Sequence, residues 1–413
     1  MRRTAIIGGG ISGLTAAYLL RDARDVVLFE ASERVGGHAN TVEVERNGKR
    51  RGLDTGFIVY NERTYPLFTK LLAKLGVSSV VTTVSFAMRD DVEGVEYGSH
   101  NWRTALSQPR NLLRPEMHRL FYDVARFKRA VRRWEGRSRA TLGDFLDEEG
   151  FGRAFTEFVA LPLTATVWSI DFARARHFPF ATWWNFLSNH GLGDAFNPPP
   201  WRSFPDGSRA YVRVLAGALE GKIRLSAPVS RVERRDGAVV VRRDGADPDP
   251  FDEVILAVHA DQAKRMLVAT AEEADALGAI TYNANEVVLH TDTSVLPKDR
   301  RAWSAWNYLR GPKANGPTVT YDLNVLQRFV DAETYGVSLN ETRVVAPDRV
   351  LARMTYEHPY FTHGAFEAQA KLKQMNGFGN VWFAGGYMGM SFHEDGVRSA
   401  NDIVKRLAPG AAL

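Results

Sequence analysis

Apolar residues come in short blocks at the start of this chain, and each block predicts an element. Thr4–Ile7 predicts a strand and Val26–Phe29 a second one. Between them, Leu14–Leu20 is apolar and alanine-rich and predicts a helix. Gly8, Gly10 and Gly13 separate the first strand from that helix at the spacing G-x-G-x-x-G, with Ile11 and Ser12 inside the turn. Gly8 permits the tight turn, Gly10 lets a pyrophosphate approach the backbone, and Gly13 lets helix and strand pack closely. The helix then offers free N–H groups and its positive end to phosphates. Glu30 ends the second strand, with Ala31 after it, where the ribose hydroxyls of an adenosine would lie.

Further along, Ile223–Leu225 and Val229–Val232 predict strands, and "VERRDGAVVVRRDG" predicts a hairpin. "FDEVILAVHA" predicts a buried strand that ends at small residues. Val381–Ala384 predicts a last strand, Gly385-Gly386 a turn, and Asp395–Leu407 a closing helix whose start lies near Glu394. "FNPPPW" at 196–201 predicts a proline turn between domains. In the segment 117–134, Met117, Leu120, Phe121, Val124, Phe127, Val131 and Trp134 recur at helical spacing. Arg119, Arg126, Arg129, Arg132 and Arg133 fall mostly on other faces.

Charge sharpens that last pattern. The chain carries a net charge of only +5, yet residues 101–140 hold eleven Lys/Arg against three Asp/Glu. A core-packed helix with a solvated cationic face is the ordinary outcome. An anionic membrane surface is the expected partner if that face is used. No nucleic-acid-binding module accompanies the charge, so no nucleic-acid partner is expected. At 413 residues the chain is long enough for two domains. No apolar run is long enough to span a membrane and no signal peptide precedes the first strand, so a cytoplasmic location is expected, with a peripheral position on the inner membrane face as its variant. Cysteine is absent, which excludes disulfides, a redox dithiol and cysteine-ligated metal. The ten histidines show no metal-ligand spacing, and no metal is expected.

Arg34-Val35-Gly36-Gly37-His38 resembles the R-x-G-G-(R/H) stretch of FAD enzymes in the amine oxidase and carotenoid desaturase superfamily. The resemblance implies an α/β fold: a Rossmann-type FAD-binding domain assembled from 1–75, 205–265 and 378–413. An α+β substrate domain of 76–204 and 266–377 is interleaved with it. It implies FAD contacts from Arg34, Gly36, Gly37 and His38, from Thr55, Gly56 and Phe57 after Leu53-Asp54, and from the backbone of Val229. Gly385, Glu394, Asp395 and Gly396 complete the implied cofactor site. Gly386 departs from the pattern, since many amine oxidases carry an acid there. With no cysteine for a thioether, the FAD is expected to be non-covalent. A second G-x-G-x-x-G is missing, so the electrons are expected to come from an organic substrate.

Between Phe151 and Phe204 the chain is rich in rings: Phe155, Phe158, Trp168, Phe172, Phe178, Phe180, Trp183, Trp184, Phe186, Phe196, Trp201 and Phe204. As a group they suggest a greasy pocket for an apolar ligand. "VWSIDFARARHFPFATWWNFLSNHGLGD" and "GYMGMSFHEDGVRS" resemble a bacterial family of FAD-dependent oxidoreductases associated with cyclopropane-fatty-acid-synthase-like methyltransferases. One branch resembles the acyl-lipid desaturase of furan fatty acid biosynthesis. That implies a methyl-branched, unsaturated acyl chain as substrate and such a methyltransferase as functional partner. His190, His393 and Glu394 are the candidate bases, with Tyr387 and Tyr60 to orient or relay. A flavin amine oxidase, a carotenoid or porphyrinogen dehydrogenase, and a non-catalytic FAD-bearing partner of a lipid methyltransferase are the competing readings.

Overall fold

The computed structural model describes residues 1–99, 104, 107–134, 136–137, 139–168, 170–190, 199–311, 318–340 and 342–413. A five-stranded sheet forms the centre of one half. Its order is Ile223–Arg224, Asp25–Phe29, Arg3–Ile7, Glu253–Leu256, Val381–Phe383, and every pairing is parallel. These strands lie far apart in sequence, yet Ile7 sits in register with both Phe29 and Leu256. Glu253–Leu256 and Val381–Phe383 are buried along their whole length, as expected of a parallel sheet covered on both faces. Helices Ile11–Leu20 and His393–Leu407 cover one face together. They cross closely: a Cβ on Gly396 would come within 2.8 Å of Ser12 Oγ.

The expected elements are present with shifted ends: two strands stop a residue short, at Arg224 and Phe383, and the strand expected from Val229 begins at Arg231. The first helix begins at Ile11, and the last begins at His393 rather than Asp395. The expected hairpin pairs Arg231–Arg235 with Ala238–Arg242, and Asp249–Phe251 adds a third strand. Residues 196–198 of the expected proline turn lie outside the described residues.

A seven-stranded mixed sheet forms the other half, in the order Val350–Tyr360, Thr281–His290, Gly336–Asn340, Thr318–Asp322, Trp306–Arg310, Phe86–Asp90, Val95–Gly98. It is antiparallel except where Phe86–Asp90 runs parallel to Trp306–Arg310. Helices between 115 and 189 pack beside it. No helix among the described residues is long and apolar enough to cross a membrane.

The aromatic segment corrects an expectation. Its described rings build a core instead of lining a tunnel, Phe196 lying outside the described residues. Phe180 packs on Phe145 at 4.5 Å, Trp168 on Phe178 at 4.3 Å and Phe155 on Phe151 at 4.4 Å. Phe127, from the basic helix Pro115–Arg132, meets Trp183 and Trp184 edge-on. Ring-on-ring packing of this kind satisfies the aromatic surface without a ligand.

Candidate active site

A cavity of about 620 Å³ lies over the carboxyl ends of the parallel strands. That is the crevice where open α/β sheets bind ligands. One wall is the expected cradle: Gly8, Gly10, Ile11, Ser12, Glu30, Ala31, Gly36, Gly37, His38, Thr55, Gly56, Phe57, Val229 and Gly385. Facing it are Val167, Tyr321, Leu339, Tyr356, His358, Tyr387 and Phe392.

The glycines divide into two kinds. Gly8 has φ +106°, which L side chains rarely adopt, and a Cβ there would strike the Ala257 carbonyl. A Cβ on Gly13 would strike the Gly8 carbonyl oxygen, so Gly13 serves the helix–strand contact and is off the cavity wall. Gly10 is different: a Cβ there meets nothing within 4 Å. Open space in front of that backbone, on the cavity wall, is what a pyrophosphate requires. Glu30 is held at the edge of the cradle, where its carboxylate accepts from Gly9 N at 2.6 Å and from Ser32 N and Oγ at 2.9 and 2.8 Å. The residues present thus fit a dinucleotide.

Several expected site residues stand elsewhere. Arg34 is exposed, off the wall, and donates to the Gly37 carbonyl at 3.2 Å. Glu394 turns away from the cavity. Its carboxylate accepts from Leu67 N and Phe68 N at 3.0–3.2 Å and from Arg398, capping the helix Pro66–Leu75. That engagement removes Glu394 as a base. Asp395 accepts from Met390 N and Phe392 N at 2.9 and 3.1 Å, closing the turn before its own helix. Gly396 belongs to the helix crossing. Tyr60 bonds Ser79 inside the core.

His190 is also off the wall. It stacks between Phe186 and Trp201, its Nδ1 lies 2.9 Å from the Phe186 carbonyl, and burial lowers it to about 4. His393 does line the cavity, stacked on Phe57 at 3.4 Å. Its Nε2 meets the Tyr211 hydroxyl at 2.8 Å, and burial lowers it to about 3. Whichever of the two donates, that nitrogen is already occupied.

Three enclosed polar atoms on the wall have no hydrogen-bond partner: His38 Nε2, Tyr387 Oη and His259 Nδ1, the last lying 3.4 Å from the Glu357 carboxylate. Such atoms are rare in folded proteins and mark places where a ligand completes the structure. His38 lies 6.0 Å from His259 and 5.4 Å from His358 between ring centres. Burial keeps all three neutral: His38 falls well below the usual range, His259 is lowered, and His358 falls to about 4. Among the described residues no group of three His, Asp or Glu could hold a metal ion. The cluster therefore reads as neutral hydrogen-bonding groups around a ligand.

Residues 11–322 match the family described as flavin containing amine oxidoreductase. The chain belongs to that family. FAD is therefore the cofactor that the cradle holds, and the family's chemistry is oxidoreduction. The L-amino-acid oxidase of Demansia vestigiata is 50% identical over 48 residues, 11% of this chain and 9% of that protein. Amine oxidase [flavin-containing] A of Canis lupus familiaris is 26% identical over 252 residues, 57% of this chain and 45% of that protein. The chain thus spans less than half the length of either relative. The crystal structure of the CLA-producing fatty acid isomerase from P. acnes superposes with a TM-score of 0.70 at 16% identity, covering 98% of both chains, and shows the shared fold.

His259, His358 and Asn285 were missed in the sequence. The first follows the buried strand Glu253–Leu256; the other two sit on paired strands of the second sheet. Strand register brings His358 to the cavity wall and Asn285 to its ring, and one sequence carries no local signal for that.

Proposed function

We propose that this protein desaturates an apolar substrate, a methyl-branched, unsaturated acyl chain of a phospholipid or fatty acid. The observation that carries the reading is the cavity wall facing the cradle: Val167, Leu339, Tyr321 and Phe392 are apolar or aromatic, and the histidines beside them are neutral. No lysine is among the described residues lining it. Such a wall suits a chain better than a charged amine. The fold of the fatty acid isomerase is compatible with this reading.

Bound FAD supplies the two-electron acceptor for hydride. The protein's own residues orient the chain, exclude water and receive the proton from the neighbouring carbon. His38 is the proton acceptor we favour, since its ring is neutral and its enclosed Nε2 is without a partner. Tyr387 Oη holds the substrate or the cofactor edge, and burial keeps it protonated. His358 contributes an N–H donor. A lipid methyltransferase acting on the same chain would provide the branch.

Lipid profiling of a bacterial host tests the reading. Expressing this protein beside such a methyltransferase should yield branched acyl chains two mass units lighter than those made by the methyltransferase alone. Unchanged lipids in a host that accumulates the flavoprotein would refute it. The family name and the amine oxidase A relative favour oxidation of an amine as the second reading. Consumption of added amines by the same cells would support it.

A further inference from the structure

We propose that the outer face of helix Pro115–Arg132, with the turn Pro109–Leu113 before it, docks on the surface of an anionic phospholipid bilayer. The helix splits its apolar residues. Met117, Leu120, Ala130, Val131 and the following Trp134 are buried, and Phe127 packs among rings of the helical core. That face needs no further partner. Phe121 and Val124, expected in the same stripe, point outward instead, 45% and 52% exposed. Tyr122 is 61% exposed, Leu112 46% and Leu113 85%. Five of the thirteen exposed large apolar side chains among the described residues thus fall within 112–124. Single exposed apolar residues are ordinary; a cluster of them marks an interaction surface.

The same face carries cations. Counting 100° per residue, Phe121, Tyr122, Val124, Lys128, Arg129 and Arg132 share one side of the helix. Lys128, Arg129 and Arg132 are all exposed. Three other arginines here are engaged with acids. Arg119 and Arg126 hold the buried Asp123 at 3.1 and 2.8 Å, and Arg133 pairs with Glu149. The outward side of the helix is an apolar, ring-bearing patch followed by an exposed cationic one. A helix lying in a bilayer interface has this composition: rings and aliphatic groups enter the headgroup boundary while cations meet anionic lipid. A nucleic acid would match the cations and leave the apolar half in water. The docking is independent of which substrate is oxidised.

The test is co-sedimentation of the full-length, FAD-loaded protein with vesicles. Phosphatidylcholine vesicles containing phosphatidylglycerol should pellet the protein, pure phosphatidylcholine vesicles should not, and high salt should release it. The variant Lys128→Glu, Arg129→Glu, Arg132→Glu should bind on the order of 100-fold more weakly or worse. The variant Phe121→Ser, Tyr122→Ser should also lose binding, at unchanged cationic charge. Both variants alter exposed side chains, so flavin content and unfolding temperature should stay at wild-type values. Equal binding to neutral and anionic vesicles, binding indifferent to salt, or no binding to either overturns the proposal. So does retention of wild-type affinity in both variants, or binding to RNA with none to vesicles.

Discussion

The side-chain amide of Asn285 donates to Nδ1 of His358 at 3.0 Å, across two paired strands. The same nitrogen of Asn285 also donates to the Asn283 carbonyl at 3.1 Å, which fixes the orientation of the amide. An amide NH₂ only donates, so His358 Nδ1 accepts and its ring proton sits on Nε2. Burial holds His358 at about 4, so this tautomer persists at neutral pH.

Asn285→Asp should invert that relationship. A carboxylate accepts from Nδ1–H and favours the charged ring, so the His358 pKa should rise by roughly 1–3 units. The pH profile of anaerobic flavin reduction, read against histidine NMR titration, checks this. The wild type should show no transition from His358 above pH 5, and the variant should show one. An unchanged His358 titration would mean that Asn285 does not set its proton.

Gly10→Ala and Gly13→Ala should fail in different ways. Ala at Gly10 meets nothing in the protein, so the apoprotein should unfold at the wild-type temperature while FAD affinity drops at least tenfold. Ala at Gly13 meets the Gly8 carbonyl, so the fold itself should lose on the order of 1–3 kcal/mol. Calorimetry of the apoproteins with flavin titration separates the two. Equal destabilisation of both would contradict the division.

This pair of glycines also shows what was legible in the sequence. The cradle depends on contacts between residues close in the chain, where backbone sterics leave few options, so its spacing could be read directly. Glu394 depended on a distant contact. Its partners Leu67 and Phe68 lie more than 320 residues away, and nothing near Glu394 reveals that a helix start will be brought to it. His190 was misleading for a related reason: a histidine after an aromatic helix looks like a site until its rings are seen stacked inside the core. The basic helix was half legible. Its periodicity was visible, but only packing decides that Phe127 goes in while Phe121 stays out.

Buried histidines set the acid stability. Burial lowers His190 and His290 to about 4 and His393 to about 3, all below the value near 6.5 of an unfolded chain. The unfolded state therefore binds protons first. Their contribution is complete above pH 6.5 and is lost as pH falls toward 4, on the order of 1–3 kcal/mol for each. Asp54 acts in the opposite sense: burial raises its carboxyl to about 7, so it favours the fold at low pH and loses that as pH rises through 7. Asp54→Asn should therefore steepen the fall in urea-unfolding stability between pH 7 and pH 5. A shallower fall in the variant would contradict this assignment.

The most direct measurement is anaerobic mixing of the purified, FAD-loaded protein with a methyl-branched, unsaturated acyl phospholipid, followed by its visible spectrum. The flavin absorbance should bleach, and the lipid should leave with one additional double bond. His38→Ala should bleach at least tenfold more slowly per bound flavin, measured on the FAD-loaded fraction. Deuterium at the allylic carbon should slow bleaching where C–H cleavage limits the rate. Rapid bleaching by primary amines or polyamines, with no response to branched acyl lipids, would contradict the account and establish an amine as the substrate.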